Sequence, residues 1–282
     1  MRQCDLVLAT GGGAMVHAAY SSGSPALGVG VGNAVITVDD TADLDAAAEK
    51  IRLSKTLDLA ASCSSDNSVV LLDGIYEPML EKLKAQGGYL CNAEEKAALR
   101  RTLWDEELHL NTAIVAQPRK RSPRWRGFRS RRRLSSSSCR RMAGGPSIPF
   151  RVKTVGHHGA LPRAGYRSRH RAYAEHSGLP GAGHSCGIYS SSDENIMKLA
   201  ENTYTSRVMV NQPQAASNSG NVWNGMRQTF SLGCGSWGGN GTNNNISWRD
   251  LINETWVSMP LAENKVIPSD DELFGDVIAK LG

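Results

Sequence analysis

Short apolar runs alternate with amphipathic segments along most of this 282-residue chain. The runs are DLVLAT, LGVGVG, NAVITVDD, SVVLLDG, SCGIYS, SRVMVNQ and LINETWVSM. Their length and their content of valine, isoleucine and leucine favour buried strands, and the intervening segments are long enough for crossover helices. The alternation therefore predicts an α/β fold with a parallel sheet.

AMVHAAYSS is predicted to form the first helix, and four further segments have the pattern of helices. In TADLDAAAEKIRLSKTL, Thr41 is predicted to cap the amino end. In YEPMLEKLKAQGG, the pair Gly87–Gly88 closes the carboxyl end. AEEKAALRRTLWDEE is the third of these segments, and DENIMKLAENT is the fourth, with Asp193 as its predicted cap.

Charge is unevenly distributed along the chain. From Leu108 to Ala174 there are 17 Lys and Arg residues and no Asp or Glu, whereas the remainder holds 15 basic and 27 acidic residues. This basic segment lacks a sustained apolar period, which is typical of disorder or of an arm that binds a polyanion. No apolar run approaches the roughly 18 residues that a membrane-spanning helix needs, so no membrane partner is expected.

The six cysteines show no pairing rhythm and form no CxxC motif. This usage indicates a reducing compartment, and we expect a cytoplasmic protein with mostly inert thiols. A loose group of histidines lacks the acidic or cysteine partners and the rigid frame of a metal site, so no metal is predicted. Its members are His157, His158, His170 and His176.

A glycine-rich turn, Thr10–Gly11–Gly12, stands between the first strand and the first helix. Backbone N–H groups at a helix amino terminus can point at an anion, and the helix dipole favours negative charge there. The turn is therefore a candidate phosphate-binding site. Glycine also allows tight turns with no ligand, and that alternative stays open.

Cys63 is the candidate nucleophile because its neighbours are small and leave room for a substrate. Serine hydroxyls and loop N–H groups around it are suited to stabilising a thiolate or an oxyanion. The alternative is that Cys63 is a small buried apolar residue, which is the common fate of a lone cysteine. For His184, within GAGHS, a structural role is expected.

Several long segments resemble the CoA-acylating aldehyde dehydrogenases. They are ATGGGAMVHAAYSSGSPALGVGVGN, SCSSDNSV, SRVMVNQPQ, TFSLGCGSWGGN and LINETWVS. The resemblance implies an aldehyde dehydrogenase-like α/β fold with an incomplete Rossmann-like cofactor domain and a catalytic domain. The domain limits implied are residues 1–50 for the end of the cofactor domain, 51–240 for the catalytic domain and 241–282 for a return and oligomerisation segment.

The same resemblance implies that Cys63 attacks an aldehyde and carries the acyl group as a thioester, with NAD or NADP as oxidant and coenzyme A as acceptor. Thr10, Gly11 and Gly12 match the turn beside the nicotinamide. Gly28 falls where hydrolytic members of the superfamily have a glutamate that activates water. Without that base, a thiol acceptor is the reasonable alternative to water.

Acetaldehyde and sulfoacetaldehyde are the candidate substrates. The segment from Val210 to Asn240 is most similar to the sulfoacetaldehyde branch, which would let Arg227 face a sulfonate, because a guanidinium suits anionic oxygens. The alternative for Arg227 is an ordinary surface arginine. LINETWVSM resembles the intersubunit strand of the family, so a homo-oligomer is expected of the parent enzyme.

Two departures from the family pattern leave alternatives open. The amino-terminal portion of the family is absent, so we expect the chain to be truncated at its start. Residues from about Arg119 to about Pro180 have the composition of a frame-shifted or disordered segment. The chain could therefore be an inactive fragment of such an enzyme, and an alternative of another class is a nucleic-acid-binding protein acting through the arginine-rich segment.

Overall fold

A computed structural model describes residues 1–107, 109–116, 151–155, 183–222, 224–260 and 268–281. The chain divides into two compact units, Met1–Asp250 and Leu251–Gly282, which are described separately. The proposed frame-shifted segment lies outside the described residues except for 151–155, so that hypothesis stays open. Among the described residues, no helix is both long and apolar enough to cross a bilayer.

The first unit opens with a small parallel sheet. Strands β1 (Val7–Thr10) and β2 (Ala26–Val29) pair in parallel, and helix α1 (Gly13–Tyr20) forms the crossover between them. Ala19 of α1 is fully buried against Val7 and Ala9 of β1. This strand–turn–helix unit places the Thr10 turn at the carboxyl end of a parallel strand, where α/β folds commonly bind ligands.

The second sheet has five parallel strands in the order β5-β4-β3-β6-β7. The strands are β3 (Ala34–Val38), β4 (Asp66–Leu72), β5 (Arg151–Val155), β6 (Cys186–Tyr189) and β7 (Val208–Val210). Because β3 pairs with both β4 and β6, the segments that precede these three strands meet at one edge of the sheet. The predicted α/β class with a parallel sheet is confirmed.

Helices pack on this sheet and bury its apolar side chains. Helices α2 (Leu44–Thr56) and α3 (Tyr76–Ala85) form one core with β3 and β4, in which Ile51 and Met79 are fully buried. The described part of the first unit also contains helices α4 (Ala93–Leu103), α5 (Asp193–Glu201) and α6 (Gln214–Ser217). Burying large apolar side chains completely stabilises a fold by about 1.5–3 kcal/mol each.

Two predicted helix caps were wrong. The cap of α2 is Asp43, whose carboxylate accepts from the backbone N–H of Ala46, rather than Thr41. Thr41 instead donates its hydroxyl to Asp39. The cap of α5 is Ser192, so Asp193 is the first helical residue, where its charge complements the helix dipole.

The segment LINETWVSM contains no strand, which corrects the sequence expectation. Residues 252–260 in the second unit have no regular secondary structure, and Trp256 and Met259 are exposed. A strand needs a neighbouring strand to pair its N–H and C=O groups, and the structure gives this segment none among the described residues. Helix α7 (Asp270–Leu281) ends the second unit.

Candidate active site

Cys63 lies in the loop between a short 3-10 helix (Leu57–Ala60) and strand β4. Asp58, Leu59 and Ala60 all have positive φ angles, of 48°, 54° and 60°. Non-glycine residues avoid this region because it strains the backbone, and such strain is concentrated at functional sites. The thiol of Cys63 itself is half-buried and not part of a disulfide.

The side chain of His184 contacts the Cys63 thiol and can accept its proton. Its Nε2 lies 3.1 Å from Sγ of Cys63, and its Nδ1 lies 2.9 Å from Oγ of Ser185. The His184 ring is fully buried, just before strand β6. If Nδ1 donates to Ser185, Nε2 is the unprotonated nitrogen and can accept the thiol proton.

Both members of this pair are uncharged at neutral pH. Burial lowers the pKa of His184 to about 4, and the positive charge of Arg207 acts in the same direction. Burial raises the pKa of Cys63, while backbone N–H groups and Arg207 oppose that change. A neutral imidazole beside a thiol is the state in which the histidine can serve as a general base.

Gly32 allows the segment before β3 to lie against the loops that carry Cys63 and His184. A Cβ atom at position 32 would lie 2.0 Å from the carbonyl oxygen of Cys63 and 2.9 Å from Cδ2 of His184. No side chain fits at either distance, so only glycine lets the segment before β3 pass beside Cys63. The candidate site therefore forms where the loops before β3, β4 and β6 meet, at the amino-terminal ends of these strands.

The Thr10 turn lies at the carboxyl end of the small sheet. Gly11 donates its N–H to the carbonyl of Val29, and Gly12 is the amino cap of α1, with no side chain to satisfy the first-turn N–H groups. Oγ1 of Thr10 lies 2.7 Å from Oγ of Ser231. The first turn of α1 therefore retains donors that could bind an anion.

One loop connects this turn with the cysteine site. It begins at Ser231, the partner of Thr10, and continues through Cys234, whose carbonyl oxygen packs against Gly183, next to His184. A Cβ at Gly183 would lie 2.1 Å from that oxygen, and Gly183 has a positive φ of 79°. The structure thus connects the candidate cofactor turn to the His184 side of the site.

Arg227 is not brought to the nucleophile by any contact among the described residues. Its guanidinium is half-exposed and lies 3.9 Å from a carboxylate oxygen of Asp250. The loose ion pair fits the surface-arginine alternative as well as an anion site. A substrate-binding role for Arg227 stays a prediction.

A buried carboxyl group, that of Asp66, lies three residues after Cys63 in the chain. Asp66, the first residue of β4, is fully buried and accepts a 2.8 Å hydrogen bond from Gln214 of α6 through Oδ1. Within the described part of the chain its Oδ2 has no hydrogen-bond partner. Burial raises the pKa of Asp66 to about 7, against the opposing effects of Ser54, Gln214 and Lys55.

The described residues contain no group of three or more metal-ligating side chains. The loose group of histidines, His157, His158, His170 and His176, lies outside the described residues. Sequence reasoning missed the contact of His184 with Cys63 because it assigned this histidine a structural role. The sequence offered one signal of this contact: GAGH precedes an apolar strand, as SCSS does, so both segments are expected at the amino-terminal ends of parallel strands.

Comparison with known proteins decides the relationship. The whole chain is 38% identical to the acylating sulfoacetaldehyde dehydrogenase of Cupriavidus necator, over 57% of that protein, and 40% identical to the sulfoacetaldehyde dehydrogenase of an Acholeplasma species, over 58% of it. The chain is a relative of the acylating aldehyde dehydrogenases. It spans a little over half the length of these relatives. No protein-family profile matches the sequence.

Solved structures agree with this relationship. A probable aldehyde dehydrogenase from Listeria monocytogenes superposes with a TM-score of 0.75 at 26% identity, covering 92% of this chain and 57% of that one. An acetylating aldehyde dehydrogenase from Geobacillus thermoglucosidasius gives 0.72 at 25% identity, covering 94% and 58%. The predicted aldehyde dehydrogenase-like fold is confirmed, whereas the predicted domain limits stay predictions.

Proposed function

We propose that this chain carries the thioester-forming site of a CoA-acylating aldehyde dehydrogenase. The observation that supports the proposal most directly is the 3.1 Å contact between Sγ of Cys63 and Nε2 of His184. A neutral histidine and a half-buried thiol at this distance are the parts that covalent catalysis at a carbonyl requires. The relatives named above supply the class of reaction.

The reaction begins when Sγ of Cys63 adds to the aldehyde carbon and its proton passes to Nε2 of His184. The turn Thr10–Gly11–Gly12 would hold NAD or NADP, because its donors at the start of α1 fit a phosphate-bearing cofactor. That cofactor supplies the hydride acceptor. The acyl group on Cys63 then passes to the thiol of coenzyme A, and Cys63 regains its proton.

Gly28 and Tyr20 explain why a thiol rather than water accepts the acyl group. A Cβ at Gly28 would lie 2.7 Å from Cε2 of Tyr20 and 2.9 Å from Cγ1 of Val16, so any side chain there would collide with α1. The Tyr20 hydroxyl fixes the ring by bonding both the N–H and the C=O of Gly28 at 3.0 Å. A water-activating carboxylate cannot occupy this position without displacing Tyr20.

We further propose sulfoacetaldehyde as the preferred aldehyde, acetaldehyde as the second candidate, and Arg227 as the group that meets the sulfonate. Two of the relatives named above are sulfoacetaldehyde dehydrogenases. Arg227 would have to leave Asp250 to bind a substrate, and the 3.9 Å separation makes that exchange inexpensive. A cytoplasmic location and a homo-oligomeric parent enzyme belong to the same proposal.

The test is a turnover assay on the purified chain with sulfoacetaldehyde or acetaldehyde, coenzyme A, and NAD or NADP. Formation of acyl-CoA together with reduced cofactor, lost in Cys63→Ala, is the expected result. If the folded chain forms neither product at any combination, it is an inactive fragment. Replacement of Arg227 by Met should raise KM for sulfoacetaldehyde and leave that for acetaldehyde unchanged.

A further inference from the structure

A buried arginine, Arg207, donates a hydrogen bond to the main chain of His184, the residue that contacts Cys63. Arg207 immediately precedes β7 and is only 6% exposed. Its guanidinium donates from Nη1 to the carbonyl of His184 at 3.1 Å and from Nε to Oδ1 of Asn245 at 2.7 Å. Its Nη2 donates to the carbonyls of Asn243 and Asn244 at 3.4 and 3.2 Å.

All four acceptors of Arg207 are neutral. No carboxylate forms an ion pair with it in the part of the chain that the structure describes. Burying a charge without an opposite charge is costly, and proteins normally pair such groups or leave them in water. Arginine cannot escape this cost by losing its proton, because its pKa stays far above neutrality.

The charge of Arg207 acts on both members of the candidate cysteine–histidine pair. Arg207 acts electrostatically on Cys63, on His184 and on the buried thiol of Cys234, and it lowers the pKa of each. The buried carboxyl group of Asp66 is instead bonded to Gln214. The charge therefore favours the negative thiolate and the uncharged imidazole, which are the reactive forms of both groups.

We propose that Arg207 is a positioning residue that fixes His184 through its main-chain carbonyl and stabilises the thiolate of Cys63 with an unneutralised positive charge. It touches neither substrate nor cofactor in this role. The same charge opposes protonation of His184, so the ring is neutral before it accepts the proton of Cys63. The proposal takes Cys63 as the nucleophile and so rests on the proposed function.

The test measures the thiol rather than turnover. The chain and its Arg207→Gln and Arg207→Lys variants are alkylated with iodoacetamide between pH 6 and 10, and modification of Cys63 is followed on its own peptide by mass spectrometry. Loss of the charge in Arg207→Gln should raise the apparent pKa of Cys63 by about one unit, which slows alkylation about tenfold below that pKa. Arg207→Lys should keep most of the rate.

Arg52→Gln is the matched control. It removes a partly buried arginine of helix α2 whose Nε donates to Gln86, and the pH profile of Cys63 alkylation should be unchanged in this variant. A purely structural role predicts equal shifts in the two Arg207 variants, and that result would overturn the proposal. So would a wild-type profile in folded Arg207→Gln. If Arg207→Gln does not fold, a one-unit shift in folded Arg207→Lys overturns it, and an unchanged profile supports it.

Failure of the proposed function is recognised separately. A chain that forms no acyl-CoA, yet alkylates at Cys63 with the expected dependence on Arg207, would lose the dehydrogenase assignment and keep this inference. A chain that forms acyl-CoA, but whose Cys63 alkylation does not depend on the Arg207 charge, would keep the dehydrogenase assignment and lose this inference.

Discussion

Replacing Gly32 by alanine should misplace the nucleophile. The added Cβ would stand 2.0 Å from the carbonyl oxygen of Cys63, whereas ordinary van der Waals contact begins at 3.4 Å. The two loops would have to separate by about 1.4 Å, because the contact is with rigid backbone rather than with a flexible side chain. A misplacement of about 1 Å can cost on the order of 100-fold in rate.

We therefore expect Gly32→Ala to reduce kcat/KM for acyl-CoA formation by about 100-fold or more. The matched control is Gly30→Ala, two residues earlier, where the nearest atom to an added Cβ is the side-chain nitrogen of Asn240 at 4.0 Å. Its activity should stay within about threefold of the parent chain, since no atom must move. The rate of Cys63 alkylation provides a second measurement that does not depend on turnover.

Two results would refute this reasoning. Equal activity of the two alanine variants would show that the Gly32 contact does not set the position of Cys63. Equal losses in both variants, with unchanged melting temperatures, would show that the whole segment before β3 tolerates no Cβ, whatever its distance from Cys63. Circular dichroism at the start of each assay separates a local displacement from unfolding.

Three further changes test other parts of the site. His184→Asn should lower kcat/KM by about 10²–10⁴-fold, the usual contribution of a general base, and an unchanged rate would exclude that role. Asp66 has a folded pKa of about 7, raised from 3.8, so its contribution to stability is complete below pH 3.8 and is lost as pH rises through 7. The free energy of unfolding of Asp66→Asn, measured with denaturant, should therefore rise relative to that of the parent chain between pH 4 and 7. A difference between the two free energies that does not change with pH would contradict the raised pKa. Tyr20→Phe should destabilise the first unit by about 1–3 kcal/mol, because Gly28 and Gly241 both donate to this hydroxyl and lose it; a shift in unfolding midpoint below detection would be evidence against this bonding.

The local elements were predictable because their patterns are local. Each run of β-branched and aliphatic residues predicts a strand from side-chain chemistry alone, and six of the seven predicted strands form. LINETWVSM failed because a strand also requires a neighbour, which no local pattern provides. The caps at Asp43 and Ser192 were missed because several polar residues precede each helix, and only the backbone geometry selects one of them.

The candidate site was predicted only in part. Cys63 was proposed as the nucleophile from its small neighbours and the Thr10 turn as a phosphate site from its glycines, and both roles stay predictions. His184 and Arg207 lie 121 and 144 positions farther along the chain than Cys63, and the position of His184 just before an apolar strand was the one sequence signal of its contact with Cys63. Their proximity depends on β6 pairing with β3 and on β7 pairing with β6.

The order of residues along the chain determined which segments become strands and helices and which proteins the chain is related to, and it made Cys63 the candidate nucleophile. The tertiary structure alone decided that Nε2 of His184 meets Sγ of Cys63, that Gly32 leaves space for this contact, and that the guanidinium of Arg207 donates to the main-chain carbonyl of His184. The physical reason is range: propensity and periodicity act over a few residues, whereas a parallel sheet brings together the amino ends of strands that are far apart in sequence.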